Sequence, residues 1–191
     1  MRRLASIALL PVLAGCLTSS PPPPVHSWTI EMPRVSIGRS PSAEGEQRGV
    51  VRVASATVRA PYDAANLVVL RADGSMAFDP YNRFAASPVA LVRTAALDAL
   101  RSSDAFRSVV AATSAARSDL TLELTVDRLA LDCRVPEVRH ALVSLTATLL
   151  KDREVFATVA GEATADAADG NYTRAFSAAF SEALAKALQS L

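Results

Sequence analysis

Residues 120–163 read LTLELTVDRLALDCRVPEVRHALVSLTATLLKDREVFATVAGEA. Apolar side chains occupy alternate positions in three runs of this stretch, which is the period of a half-buried β-strand. The alternation changes phase near Asp127-Arg128, which predicts a β-bulge there. Turn residues separate the runs at Pro136-Glu137 and at Lys151-Asp152. Because consecutive strands joined by short turns usually pair, the stretch predicts an antiparallel meander.

Shorter strands precede the meander. Residues 26–32 alternate, with Trp28, Ile30 and Met32 on one side, and residues 49–58 form a Val-rich strand. Leu67–Arg71 and Met76–Phe78 flank Asp73-Gly74, where glycine supplies the positive φ of a hairpin turn. We expect residues 34–48 to be a mobile loop, residues 79–84 to be an aromatic connection, and residues 106–110 to form a further strand.

Two helices complete the predicted fold. Ser87 is a suitable N-cap before Pro88 at the first helical position, and the apolar residues from Val89 to Leu100 then share one helical face. The second helix places a broad apolar stripe between Tyr172 and Leu188. We expect a helix with such a stripe to cover a sheet face, and an interaction surface is the alternative role of the stripe. The sequence therefore predicts an α+β fold, a two-layer sandwich whose mostly antiparallel sheet is packed by two main helices.

The N-terminal residues have the features of an export signal. Arg2 and Arg3 precede an apolar run from Leu4 to Val12, which is too short to span a bilayer. Leu13-Ala14-Gly15-Cys16 follows and resembles the bacterial lipoprotein signal, in which the cysteine is acylated and becomes the first residue of the mature protein. An ordinary secretory signal with an accidental cysteine is the alternative. We predict lipidation of Cys16. A single acyl chain gives only marginal attachment, and the resemblance to bacterial lipoproteins implies two or three chains, such as palmitate.

This signal sets the predicted domain organisation. Residues 1–15 are the signal peptide, residues 16–24 are the lipidated cysteine with a Pro-rich tether, and residues 25–191 are one periplasmic domain. The four prolines of the tether favour polyproline II, so it is a semi-rigid spacer. Leu17 follows the cysteine where, by resemblance to enterobacterial lipoproteins, an aspartate would favour the inner membrane. We therefore expect the protein on the periplasmic face of the outer membrane of a Gram-negative bacterium.

Charge and composition exclude several functions. Without the signal peptide the chain has 18 basic and 19 acidic side chains, so nothing attracts nucleic acid. His26 and His140 are the two histidines, too few for a metal site, and no catalytic or phosphate-binding motif occurs. Acidic residues on the strands, namely Asp127, Asp132, Glu162 and Asp166, could pair across a face. We predict no catalytic residue, no cofactor and no enzyme activity, and interpret Cys133 as a small strand residue rather than a reactive thiol.

These features together resemble the ABC-type transport auxiliary lipoproteins, the PqiC-like family. The resemblance covers residues 13–188 and includes the cysteine signal, the early strand at residues 26–30, and a Val-rich strand that leads to Pro61-Tyr62. It continues through the Leu67–Arg71 strand, the hairpin, an aromatic residue before a helix that starts with proline (Phe84 and Pro88), and the C-terminal amphipathic helix. This chain has Phe84 where family members often have tryptophan.

The resemblance implies an auxiliary component of a transport system that contains an MCE-domain protein with an ABC permease and ATPase. Such systems are thought to move phospholipids or other hydrophobic molecules between the two membranes, and the lipoprotein would dock the outer-membrane end. Two alternatives stay open, a periplasmic lipid-binding carrier and an assembly lipoprotein of another outer-membrane machine. A homo-oligomer is also open. Tyr81 and Phe84 are the candidate aromatic contacts with a partner, with buried packing as the favoured alternative for both.

Overall fold

The structure, a computed structural model, describes residues 21–32, 48–103 and 105–189. Eight strands and two helices follow one another in this part of the chain. Their bounds are β1 (His26–Trp28), β2 (Arg48–Val58), β3 (Asn66–Arg71), β4 (Met76–Phe84), α1 (Pro88–Ser102), β5 (Phe106–Ala111), β6 (Leu120–Cys133), β7 (His140–Lys151), β8 (Glu154–Asp166) and α2 (Tyr172–Gln189).

The predicted meander is the centre of the sheet. β6 pairs antiparallel with β7, and β7 pairs antiparallel with β8. The register between β6 and β7 shifts between Val126 and Arg128, which confirms the bulge that the phase change predicted. Asp152 and Arg153 both have positive φ angles in the tight turn that joins β7 to β8.

The other edge of β6 carries two strands in succession. β2 pairs parallel with the first half of β6, from Leu120 to Val126, and β3 pairs parallel with its last residues, from Ala130 to Cys133. Beyond them, β5 pairs parallel with β2, β4 pairs antiparallel with β3, and β1 pairs parallel with β4. The sheet is therefore mixed, and its longest pairings are the antiparallel ones of the meander.

Both helices pack on the same face of this sheet. The side chain of Ser87 caps α1 by accepting a hydrogen bond from the amide of Ala90 at 3.3 Å, and Pro88 follows at the first position, as predicted. α1 lies against β2 and β5, and α2 lies against β7 and β8. Buried residues of both helices and of the strands beneath them form one continuous hydrophobic core. This arrangement confirms the predicted α+β sandwich of two layers.

The segment after β1 is held by a helix rather than by a strand. Trp28, Ile30 and Met32 lie against the core as predicted, but the strand ends at Trp28. The amides of Thr29 and Glu31 donate to side-chain hydroxyls of α2, those of Thr173 at 3.2 Å and Ser177 at 2.8 Å. These hydroxyls take the place of a neighbouring strand, which is why the predicted strand was too long.

One predicted segment lies almost entirely outside the described residues, and another differs from the prediction. Of the predicted loop at residues 34–48, the structure describes only Arg48, which begins β2. The prediction that residues 79–84 form a connection was wrong. β4 continues through them to Phe84 and pairs there with β1. Sequence analysis missed this pairing because β1 is short and more than fifty residues distant along the chain.

Candidate interaction surface

An extended bulge in β4 shapes the edge of the sheet next to β1. Asn66 lies opposite Arg83 and Val68 lies opposite Phe78, so residues 79–82 lie opposite the single residue Leu67, and β4 has three extra residues there. One carboxylate oxygen of Asp79 accepts hydrogen bonds from the amides of Tyr81 at 2.8 Å and Asn82 at 3.0 Å. Capping of consecutive amides by a single aspartate stabilises a turn. The bulge is therefore fixed by its own sequence, and it leaves Tyr81 42% exposed.

The bulge also holds the start of the domain. The indole Nε1 of Trp28 donates to the side-chain oxygen of Asn82 at 2.8 Å. On the other side, the Trp28 ring lies 5.0 Å from the ring of Tyr172, the first residue of α2. Aromatic pairs at this separation are stabilising beyond the area they bury. Trp28 therefore joins β4 to α2 and fixes the place where the N-terminal segment meets the domain.

The structure separates the two predicted partner contacts. Phe84 is only 4% exposed, and its ring lies edge-on to Phe176 of α2 at a centroid distance of 5.5 Å. It is a core residue in this structure, in the packing role that the sequence analysis gave as the alternative to a partner contact. The reason is the β4 bulge, which turns Phe84 toward the helices while Tyr81 stays outside. Of the two rings, only that of Tyr81 is available to another molecule.

Sequence analysis missed two exposed apolar residues on the helix-free face, Met76 and Phe78, which we call the hairpin patch. They pair with Leu70 and Val68, whose neighbours Leu67 and Val69 point into the core. Directly paired residues share a face, so the patch lies on the side of the sheet that no described helix covers. Met76 is 54% exposed and Phe78 is 55% exposed. Only the register of β3 against β4 reveals this exposure.

Apolar residues continue from the hairpin patch across the same face of the sheet. Val68, Ala130 and Leu142 lie side by side on β3, β6 and β7, and all three are buried although both helices pack on the other face. Val135, in the turn after β6, is 60% exposed at the same end of the sheet. Val155 and Phe156, each 64% exposed, lie at the opposite end, where β8 begins.

The acidic residues on the strands do not form a carboxylate pair. Three of them bind arginines: Asp127 binds Arg59, Asp132 binds Arg134, and Glu162 binds Arg128. The hydrogen bond from Arg134 holds the pKa of the Asp132 carboxyl below its usual value. Asp166 instead accepts the amide of Ala168 at 3.1 Å. Exposed ion pairs of this kind are ordinary on a solvated sheet face.

His26 packs beside Trp28, whereas His140 and Cys133 lie elsewhere in the sheet. The ring of His26 lies 5.9 Å from that of Trp28. His140 pairs with Asp132 across β6 and β7, and its buried Nδ1 has no hydrogen-bond partner among the described residues. Cys133 packs partly buried against the core, and this desolvation raises the pKa of its thiol. Such a thiol is a poor nucleophile at neutral pH.

Within the ranges that the structure describes, no group of three metal-ligating side chains comes together. None of the helices described is long and apolar enough to cross a membrane. The predicted lipidation site, Cys16, and the first part of the tether lie outside the described residues. Residues 21–24, the four prolines, are exposed and belong to no helix or strand.

The fold defines the class of protein as a two-layer α+β domain that follows a Pro-rich segment. A family model of the ABC-type transport auxiliary lipoprotein component matches residues 28–191. The chain belongs to that family. A lipoprotein is attached to a membrane through its acyl chains, so this membership places the protein at a membrane, in the periplasm of Gram-negative bacteria.

Solved structures are similar to this chain. Protein XCC0632 from Xanthomonas campestris superposes with a TM-score of 0.56 at 20% identity, over 87% of this chain and 89% of that one. An uncharacterized protein gives a TM-score of 0.55 at 10% identity, over 86% of this chain and 98% of the other. A PelC dodecamer from Paraburkholderia phytofirmans gives 0.47 at 15% identity, over 76% and 89%. A comparison with curated proteins gives no match.

Proposed function

We propose that this protein is a non-catalytic docking component of an ABC transport system of the MCE type, which moves lipids or other hydrophobic compounds between the two membranes. Acyl chains on Cys16 would hold it on the periplasmic face of the outer membrane. The observation that carries the proposal is membership of the transport auxiliary lipoprotein family, over residues 28–191. The anchor follows from the Leu13-Ala14-Gly15-Cys16 signal.

The packing of α2 favours docking over lipid carriage. A carrier needs space between α2 and the sheet for an acyl chain. Instead, Phe176, Phe180 and Leu184 of α2 are fully buried against the strands. At Gly161 of β8, an added Cβ would lie 1.9 Å from the carbonyl oxygen of Ala183, so helix and sheet are in backbone contact there. The apolar stripe of α2 is thus used by the core of the domain itself.

Tyr81 is the residue that we propose as a partner contact. Its ring is 42% exposed, and Asp79 holds the surrounding bulge in one conformation. A ring presented on a rigid backbone loses little conformational entropy on binding, which is one reason why tyrosine is enriched at interfaces. Tyr81 also lies beside the attachment point of the tether, where β1 pairs with β4.

The test is affinity purification of the full-length, lipidated protein from its native membrane, followed by mass spectrometry. We expect an MCE-domain protein to be recovered with it, and we expect Tyr81→Ser to reduce that recovery severalfold. Phe156→Ser is the matched control, because it removes an exposed aromatic ring from the opposite end of the sheet. Consistent absence of an MCE-domain protein from the wild-type sample would contradict the docking function. Equal recovery with both variants would exclude Tyr81 as a partner contact but would leave the docking function unaffected.

A further inference from the structure

The direction of β1 determines which end of the domain is nearest to the anchor. β1 pairs parallel with β4, with His26 opposite Asn82 and Trp28 opposite Phe84. β4 runs away from the β3–β4 turn, from Met76 to Phe84. The chain that precedes His26 therefore approaches from the side of that turn. Val25, 54% exposed, is the last residue of this approach.

The length of the tether is consistent with contact between this end of the domain and the membrane. Nine residues, from Leu17 to Val25, separate Cys16 from His26 and span at most ~30 Å. The pairs Asn66–Arg83 and Leu70–Met76 are four residues apart along β3, so the part of β4 beside Tyr81 lies about 13 Å from Met76, at ~3.3 Å per residue. An acylated Cys16 would therefore keep the β3–β4 turn within reach of the lipid headgroups.

The same end of the domain carries exposed apolar side chains. The hairpin patch, Met76 and Phe78, lies beside the β3–β4 turn, and Val135 lies in the neighbouring turn after β6. Large apolar side chains at a membrane interface are stabilised when they enter the boundary between headgroups and acyl chains. Protein interfaces use similar residues, but the tether brings a lipid surface to this end in any case.

We propose that the hairpin patch contacts the lipid surface to which the protein is anchored. Met76 and Phe78 enter the headgroup region beside the acyl chains of Cys16, with Val135 at the edge of the contact. This second contact orients the domain and holds the β1–β4 edge, with Tyr81, at a fixed height above the membrane. The inference rests on the acyl anchor of the proposed function.

The experiment uses the lipidated full-length protein in phosphatidylcholine vesicles with and without brominated acyl chains, which quench tryptophan on contact. Phe78→Trp places a probe in the hairpin patch, and Phe156→Trp places one at the opposite end of the sheet with similar exposure. Trp28 is present in both variants and gives a common background. Because interfacial side chains reach ~5–10 Å into the headgroup and acyl boundary, we expect roughly twofold greater quenching for Phe78→Trp than for Phe156→Trp.

The two proposals fail in different ways. The Cys16→Ser protein should stay in the supernatant when the vesicles are sedimented, and the lipidated protein should sediment with them. If the protein sediments but the two tryptophan variants are quenched equally or not at all, the membrane contact of the hairpin patch is wrong while the anchor stands. If the protein purified from its native membrane does not sediment, the anchor is wrong and the contact inference falls with it.

Discussion

Gly161 lies where α2 comes closest to the sheet. It is buried on β8 opposite Leu145, and a Cβ at this position would lie 1.9 Å from the carbonyl oxygen of Ala183 and 2.9 Å from its carbonyl carbon. These are backbone atoms of a helix, so no change of side-chain rotamer can relieve the clash. The alternation of the sequence places Gly161 on the core face correctly, but it gives no distance to the helix.

Gly161→Ala should therefore destabilise the protein. We expect the free energy of unfolding to fall by about 1–3 kcal/mol, because α2 has to move away from β8 to admit the methyl group. Chemical denaturation measures this change. Ala160→Val is the control, since it adds a larger group at the preceding residue, which is exposed. A free energy of unfolding within ~0.5 kcal/mol of the wild-type value would show that the contact is not tight.

The β4 bulge shows what local sequence can and cannot predict at this scale. Asp79, Asn82 and the proline between them are ordinary turn residues, and the sequence was interpreted as a connection for that reason. The strand continues because Trp28 donates to Asn82 and β1 pairs along β4. The exposure of Phe78 and the burial of Phe84 follow from the bulge, so neither was predictable without the pairing.

At the scale of elements, one arginine organises the loop between β5 and β6. The guanidinium of Arg52 on β2 donates to the carbonyl oxygens of Ser114 at 2.7 Å and Ala112 at 3.3 Å. It also donates to the carbonyl of Ala116 and to the hydroxyl of Ser118 at 3.4 Å. The planar fork of arginine suits several acceptors at once, whereas lysine offers a point charge.

Arg52→Met should loosen this loop and lower the free energy of unfolding by about 1–3 kcal/mol, because the charge-assisted hydrogen bonds to the loop carbonyls are lost. Hydrogen exchange should become faster for the amides of residues 112–118. Arg107→Met is the control, since the ion pair of Arg107 with Asp119 at 3.5 Å is exposed and worth less than ~1 kcal/mol. Arg52→Lys should resemble Arg52→Met rather than the wild type. Unchanged exchange in the loop would contradict this role.

On the scale of the whole molecule, the two helices share one core. Leu100 of α1 and Leu184 of α2 are both fully buried in the same cluster, together with residues of β2, β6 and β7. If either helix left the sheet, apolar side chains that contact the other helix through the shared strands would become exposed as well. A single cooperative unit is the physical consequence.

We therefore expect equilibrium unfolding to be two-state. The emission of Trp28, the sole tryptophan, reports the β1–β4 edge and the start of α2, while far-ultraviolet circular dichroism reports the whole chain. The two denaturation curves should have the same midpoint. Leu100→Ala should shift both curves together, although Leu100 lies on the other helix. Separate midpoints would show that the α1 half and the α2 half unfold independently.

The sequence by itself determined the meander, the two helices and the faces that they bury. The period of two in residues 120–163, the phase change at Asp127-Arg128, the Ser87-Pro88 start of α1 and the stripe of α2 are local patterns, and the structure confirms each of them. The family was also predictable, because its features are spread along the chain in order. These signals need no knowledge of which strand pairs with which.

Only the tertiary structure decided which strands pair in parallel. β2 and β3 lie in succession along one edge of β6, and β1 pairs with β4, through parallel pairings between residues distant in sequence. Alternation is the same for a strand whatever its neighbour, so it cannot specify these pairings. They decide which aromatic residues are buried, where the tether joins the domain and which end carries the hairpin patch.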